Sequence, residues 1–421
     1  MMTFSHALAA IHSRPRGAER TLSRIRALME RMGNPQNRLR FLHIAGSNGK
    51  GSAAAMLSSV LKEGGYRTGL SISPYILDFR ERFQINGEMI PEEELAFWAG
   101  KVLEQAGILD RQGICCTEFE CCTALAFCWF AEKQCDAVVL ETGLGGKNDA
   151  TNVIGQPLIS VIMALSLEHT ALLGNTIEEI ATEKAGIIKG GKAVLYPIQQ
   201  PEALGVIYER CGETGTALYM PSPSGVEILK NSREGVTFRW DGQEYRIPLA
   251  GSHQAMNAVT VLETLRAVSD TLPVSLRDIR AGLAKARFPV RFETVGERPA
   301  LVLDGAHNPQ GAQVLANLLA LCPESPKIGI VGMLADKDWA HTVEALAKQF
   351  DKLLAVPVPN PRACVEPEKL AAQAGNWCEA RPCRDLNEAL EQAGELAGGD
   401  GLICCAGSLF LAAEMRKIFF Q

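Results

Sequence analysis

The chain has 421 residues, 47% of them apolar and 21% charged, with a formal net charge of −6. That length suits two domains better than one core, and an acidic balance without a polybasic run argues against a nucleic-acid partner. No stretch approaches the roughly eighteen apolar residues of a membrane span, and no basic, apolar leader is present, so a cytoplasmic protein is expected. In chain order, apolar runs predict strands at 41–45 (FLHIA), 69–72, 136–140, 158–164 and 193–196, separated by amphipathic helical stretches. This is the pattern of a parallel sheet covered by helices. Residues 225–248 differ, with short alternating runs around Asp241-Gly242 that predict an antiparallel hairpin region. Strand–helix alternation restarts at 300–304, 327–332, 352–356 and 401–406. Between the two series, 286–299 carries two prolines and a glycine. The expected division is 1–288, a linker or hinge at 289–299, and 300–421.

The thirteen cysteines include a cluster, CCTEFECC at 115–122, without metal-ligand spacing or a nearby histidine. Inert, reduced thiols are the expectation there.

In a doubly wound α/β sheet, ligands bind beyond the carboxyl ends of the strands. The residues that follow each apolar run are therefore the informative ones. FLHIA runs into Gly46-Ser47-Asn48-Gly49-Lys50-Gly51-Ser52. A glycine loop opening a helix offers backbone N–H groups and a dipole to an anion, and Lys50 adds a full charge. Its spacing is not the commonest phosphate-loop spacing, and a plain strand-to-helix turn is the competing reading. The later runs end on Ser73-Pro74, Glu141-Thr142-Gly143, Glu168-His169 and Asp304-Gly305-Ala306-His307. Ser73, Glu141 and His169 form a plausible shell for Mg2+, although Glu141 alone reads equally as a helix cap and His169 as a surface residue. Ile177, Ile180, Ala181 and Lys184 share one helical stripe, which turns Lys184 inward unless its head snorkels outward. His253 and Asn257, four apart, lie on one helix face.

Long motifs in the same order resemble those of folylpolyglutamate synthase/dihydrofolate synthase, a branch of the ATP-dependent Mur ligases. They are FLHIAGSNGKGS, ISPYILDFRERFQINGEMI, TEFE, LETGLGGKNDATNV, EHTALLGNTIEEIATEKAGIIK, GSHQAMNAV, DGAHNP and ADKD. The resemblance spans about residues 16–415. It implies an N-terminal P-loop ATPase-type domain, a C-terminal Rossmann-like α/β glutamate-ligase domain, and addition of L-glutamate to dihydropteroate or a reduced folate by a monomer. It also implies that Asn48, Gly49, Lys50, Gly51, Ser52, Asn257, Arg291 and Asp304 hold ATP. By the same resemblance, Ser73, Glu141, His169 and a carbamylated Lys184 serve Mg2+. Thr117, Phe119, Asn148, Asp149 and Ala150 fall in the pterin region, and His307 would orient glutamate or the phosphoryl group. Departures from the family pattern stand at Tyr75, Lys147-Asn148, Glu168 and Val290. A ligase for UDP-linked substrates would place a domain ahead of the loop, for which 1–40 leaves little room. A nucleotide switch protein would leave the second α/β domain unexplained.

Overall fold

The computed structural model describes residues 2–16, 19–360 and 362–420. Residues 1–227, 239–245 and 253–286 form one compact unit; 228–238, 246–252 and 287–421 form another.

The first unit is built on an eight-stranded sheet. Its strands are β1 (Phe41–Ala45), β2 (Thr68–Ser71), β3 (Gln84–Ile85), β4 (Glu88–Met89), β5 (Ala137–Glu141), β6 (Ile159–Ile162), β7 (Lys192–Leu195) and β8 (Ala217–Tyr219). Their order is β4-β3-β2-β5-β1-β6-β7-β8. From β2 to β8 the pairing is parallel, while β3 and β4 form an antiparallel edge. The FLHIA and AVVLE runs are buried at every position, as strands covered on both faces must be. β1 sits between β5 and β6: the chain builds β2 and β5 on one side of it and then crosses to β6 on the other, the arrangement that opens a ligand crevice at the carboxyl ends.

A three-stranded sheet, β9 (Glu227–Ser232), β10 (Gly235–Trp240) and β11 (Gln243–Ile247), occupies the predicted hairpin region. Asp241 and Gly242 both have left-handed φ, +50° and +70°, the geometry of a two-residue hairpin turn.

The second unit holds β12 (Glu293–Glu297), β13 (Ala300–Leu303), β14 (Lys327–Val331), β15 (Lys352–Ala355), β16 (Glu379–Pro382) and β17 (Leu402–Ala406). They run β12-β13-β17-β14-β15-β16, parallel except for β12. The stretch read as a linker therefore contains a strand, β12, paired in register from Glu293↔Leu303 to Glu297↔Ala300. Among the described residues no helix is long and apolar enough to cross a membrane.

Candidate active site

The glycine loop leaves β1 and enters the helix Lys50–Glu63. Gly49 has φ +86°, and a Cβ there would lie 2.6 Å from Asn257 Oδ1, so conformation and space both demand glycine. A Cβ on Gly46 would lie 2.6 Å from that of Met163. Ser47 and Asn48 donate their N–H groups to the Ala164 carbonyl at 2.9 and 3.1 Å. The Ser47 hydroxyl bridges to Ser166, and Asn48 Nδ2 donates to Ser166 Oγ at 3.2 Å. From the helix Ser252–Ala267, Asn257 donates to Gln254, which donates to Ser52 Oγ at 3.3 Å. Asn257, Ser52 and the loop thus belong to one polar assembly.

Two ammonium groups converge on this loop. Lys50 Nζ donates to the Gly46 carbonyl at 2.8 Å, and Lys184 Nζ donates to the same oxygen at 2.9 Å. Lys184 is 1% exposed, which settles the inward reading of its helical stripe. Glu168 Oε1 accepts from it at 2.6 Å. Burial, then repulsion from Lys50, bring Lys184 down to about 8 against the pull of Glu168. Burial alone would raise the Glu168 carboxyl, but the Lys184 and Lys50 charges draw it below the usual range.

Ser73 and Glu141 are also brought together: Ser73 N–H donates to Glu141 Oε2 at 3.2 Å. Glu141 is the last residue of β5 rather than the first after it. Ser73 Oγ is buried without a hydrogen-bond partner. An orphaned hydroxyl beside a carboxylate is an oxygen donor set that fits Mg2+, which takes few protein ligands. His169 begins the short helix Thr170–Leu173 with φ +46°, near enough to Glu168 to affect its charge. Among the described residues no group of three His, Cys, Asp or Glu side chains is gathered closely enough to hold a metal.

The expected pterin residues divide. Phe119 lines a small cavity with Ser73, Arg82 and Glu141. Thr117 caps the helix Glu118–Glu132, exchanging hydrogen bonds with Glu120. Asp149 is buried, and its carboxylate serves its own loop, accepting from Leu144 N–H at 2.9 Å, Thr151 N–H at 3.0 Å and Thr151 Oγ1 at 2.5 Å. Burial raises its pKa. Ala150 is buried and Asn148 half-buried beside it. Gly146 and Lys147 pack on Glu183 and Lys184, so this loop is stitched to the helix that carries the inward lysine.

Sequence reasoning missed several participants. The sequence places Glu168 at a strand end and as a departure from the family pattern, but gives no sign of its pairing with Lys184. Arg82, in FRERF, has its Nε buried without a partner at the cavity by Ser73. Arg20 ties the N-terminal segment to Glu183 at 2.6 Å. The basic spacing at Arg14, Arg16, Arg20 and Arg24 was the available signal. Each pairs with an acid on another element: Asp110, Glu118, Glu183 and Glu120. In the cysteine cluster, Cys116, Cys121 and Cys122 are buried, free and pushed up by burial, Cys116 and Cys122 to about 12, whereas Cys115 is exposed.

In the second unit, Asp304 is buried at the end of β13. It accepts from Phe292 N–H and Ala306 N–H, both at 2.8 Å. Burial raises its pKa against the opposing charge of Arg291. His307 Nδ1 lies 2.9 Å from the Gly305 carbonyl. Val290 and Phe292, flanking Arg291, have φ +57° and +49°. Left-handed backbone in residues other than glycine costs on the order of 1–2 kcal/mol each, and a branched Cβ makes Val290 the worse case.

Comparison with known proteins agrees with this geometry. Residues 44–265 match the Mur ligase middle domain and 290–409 the Mur ligase glutamate ligase domain. Folylpolyglutamate synthase of Lacticaseibacillus casei is 37% identical over 99% of this chain and 98% of its own length. The chain belongs to the folylpolyglutamate synthase/dihydrofolate synthase family of Mur ligases. Dihydrofolate synthase/folylpolyglutamate synthase of Bacillus subtilis is 35% identical, covering 98% of each chain. The solved structure of Mycobacterium tuberculosis folylpolyglutamate synthase, complexed with ADP, superposes with a TM-score of 0.89 at 30% identity. It covers 99% of this chain and 98% of its own. This is a Mur-family ligase, and its glycine loop opens from β1, inside the first sheet.

Proposed function

We propose that this protein joins L-glutamate to a folate-type carboxylate, that of dihydropteroate or of a reduced folate, with conversion of ATP to ADP and phosphate. One observation carries the reading. Lys50 sits at the first turn of the helix Lys50–Glu63, its ammonium on the Gly46 carbonyl, so a full positive charge joins the helix N-terminus at the mouth of the glycine loop, a setting for a polyphosphate.

A carboxylate is a poor electrophile because its leaving group would be oxide. One of its oxygens attacks the γ-phosphorus, the bond to the β-bridging oxygen breaks, and ADP leaves an acyl phosphate. The amine of glutamate then attacks the carbonyl carbon, loses a proton, and expels phosphate as the amide forms. Lys50 and the amides of residues 49–51 stabilise negative charge on the phosphoryl group, a task of position and electrostatics. Asn257 and Ser52 hold the nucleotide from the loop side, while Arg291, Asp304 and His307 serve from the C-terminal domain. Phe119 and Asn148 take the pterin side; Thr117, Asp149 and Ala150 shape that region through the loops they fix. Ser73 and Glu141 would hold Mg2+, joined by His169 and Lys184; when bound, the ion supplies positive charge to the phosphoryl oxygens. Lys184 becomes such a ligand as its neutral amine attacks CO2 and sheds a proton to solvent, giving a carbamate. A pKa near 8 keeps part of the amine neutral for that step. The working unit is the monomer.

ADP release with L-glutamate and either dihydropteroate or tetrahydrofolate tests this reading. Glutamate-dependent release with at least one acceptor is expected; release indifferent to both acceptors would overturn it.

A further inference from the structure

The backbone around Arg291 is held unusually firmly, by groups that no nucleotide contact requires. Val290 N–H donates to Glu293 Oε2 at 2.9 Å, Phe292 N–H to Asp304 Oδ2 at 2.8 Å, and the Val290 carbonyl accepts from Gly305 N–H at 3.0 Å. Glu293 is in turn gripped by Arg416 Nε, 3.0 and 2.9 Å from its two oxygens. Arg416 comes from the helix Leu409–Phe419, more than a hundred residues away in sequence, and its guanidinium stacks over Phe420 at 4.2 Å.

Val290 and Phe292 are driven into left-handed φ by these bonds, and their side chains are buried, 0% and 4% exposed. Arg291 stands between them, half-buried, with Nη1 3.1 Å from the position a Cβ on Gly305 would take. A strained backbone persists only where its surroundings over-determine it, and here the over-determined residue is the one expected to meet ATP.

We propose that Glu293 and Arg416 are positioning residues for Arg291, acting through the Val290 amide to aim its guanidinium at the nucleotide. The proposal rests on the reading of Arg291 as an ATP contact. The pair touches no substrate, so its effect falls on nucleotide affinity rather than on the chemical step.

Steady-state kinetics of the full chain test it. Arg416→Met is expected to raise the KM for ATP on the order of tenfold with kcat changed less than about twofold, and Arg416→Lys to restore most of the loss. In an Arg291→Ala background, Arg416→Met should add no further change, because the group being aimed is gone. Glu293→Gln, milder in packing, should raise the KM in the same direction. An Arg291→Ala effect on KM combined with full additivity of Arg416→Met overturns the proposal alone. An ATP KM unchanged by Arg291→Ala overturns the underlying reading and the proposal together. A lowered Tm in Arg416→Met and Glu293→Gln with unchanged KM also overturns it, since the pair would then be structural only.

Discussion

Lys184 offers a pH test of the buried-lysine geometry. Its side chain is 1% exposed, and its pKa falls from 10.5 to about 8, through burial first and Lys50 second. In the unfolded chain the amine keeps its ordinary value, so between pH 8 and 10.5 the unfolded state binds more protons. Stability must therefore rise with pH across that window, and the ammonium is a burden below it. The fall from 10.5 to about 8 corresponds to about 3 kcal/mol. About 2 kcal/mol of it is recovered between pH 7 and 9.5. Lys184→Met removes the titrating group while preserving length. Urea unfolding of both proteins in CO2-depleted buffer at the two pH values gives a double difference in which other groups largely cancel. Wild type should gain about 2 kcal/mol relative to Lys184→Met as pH rises. Parallel pH dependence of the two proteins would refute the argument that burial and Lys50 strain this charge.

Lys50→Ala should cut acceptor-dependent ADP release by roughly a thousandfold while leaving the unfolding midpoint close to wild type, as measured by the same assay and by urea titration. Gly49→Ala meets both a left-handed φ and the Asn257 amide, so a loss of about 1–3 kcal/mol in urea unfolding is expected, together with weaker ATP binding. Intact mass of protein incubated with bicarbonate should show one carboxyl adduct that is absent in Lys184→Met. Ser73→Ala removes the orphaned hydroxyl; it should raise the Mg2+ concentration needed for half-maximal ADP release about tenfold or more, with little change in Tm.

Much of this was legible from the strands outward. Buried parallel strands are continuous apolar runs, so FLHIA, AVVL and LVL declared themselves; the polar residues after the first two mark one edge of the first sheet, while Asp304 follows LVL in the second. Short edge elements were harder. β3 and β4 are two residues each, and their Asn86-Gly87 turn was the sole local sign of a hairpin. β12 reads as irregular because Gly296 lies inside it and Pro299 follows it, and the strand exists through its pairing with β13. Side-chain destinations were harder again. Asp149 looks like a substrate ligand by position, yet three local donors claim its carboxylate, a competition that spacing cannot reveal. The Lys184–Glu168 pair joins two segments whose meeting depends on how the 166–174 loop folds back. Val290 would be glycine by backbone preference, and only the bonds from Glu293 and Gly305 explain how valine holds that shape.

The measurement closest to the central claim is the fate of carboxylate oxygen. The acceptor, labelled with 18O in the carboxylate that receives glutamate, is turned over with ATP, and the released phosphate is analysed by mass spectrometry. Activation through an acyl phosphate predicts one 18O atom in each phosphate formed. Phosphate free of the label, alongside normal amide formation, would contradict it.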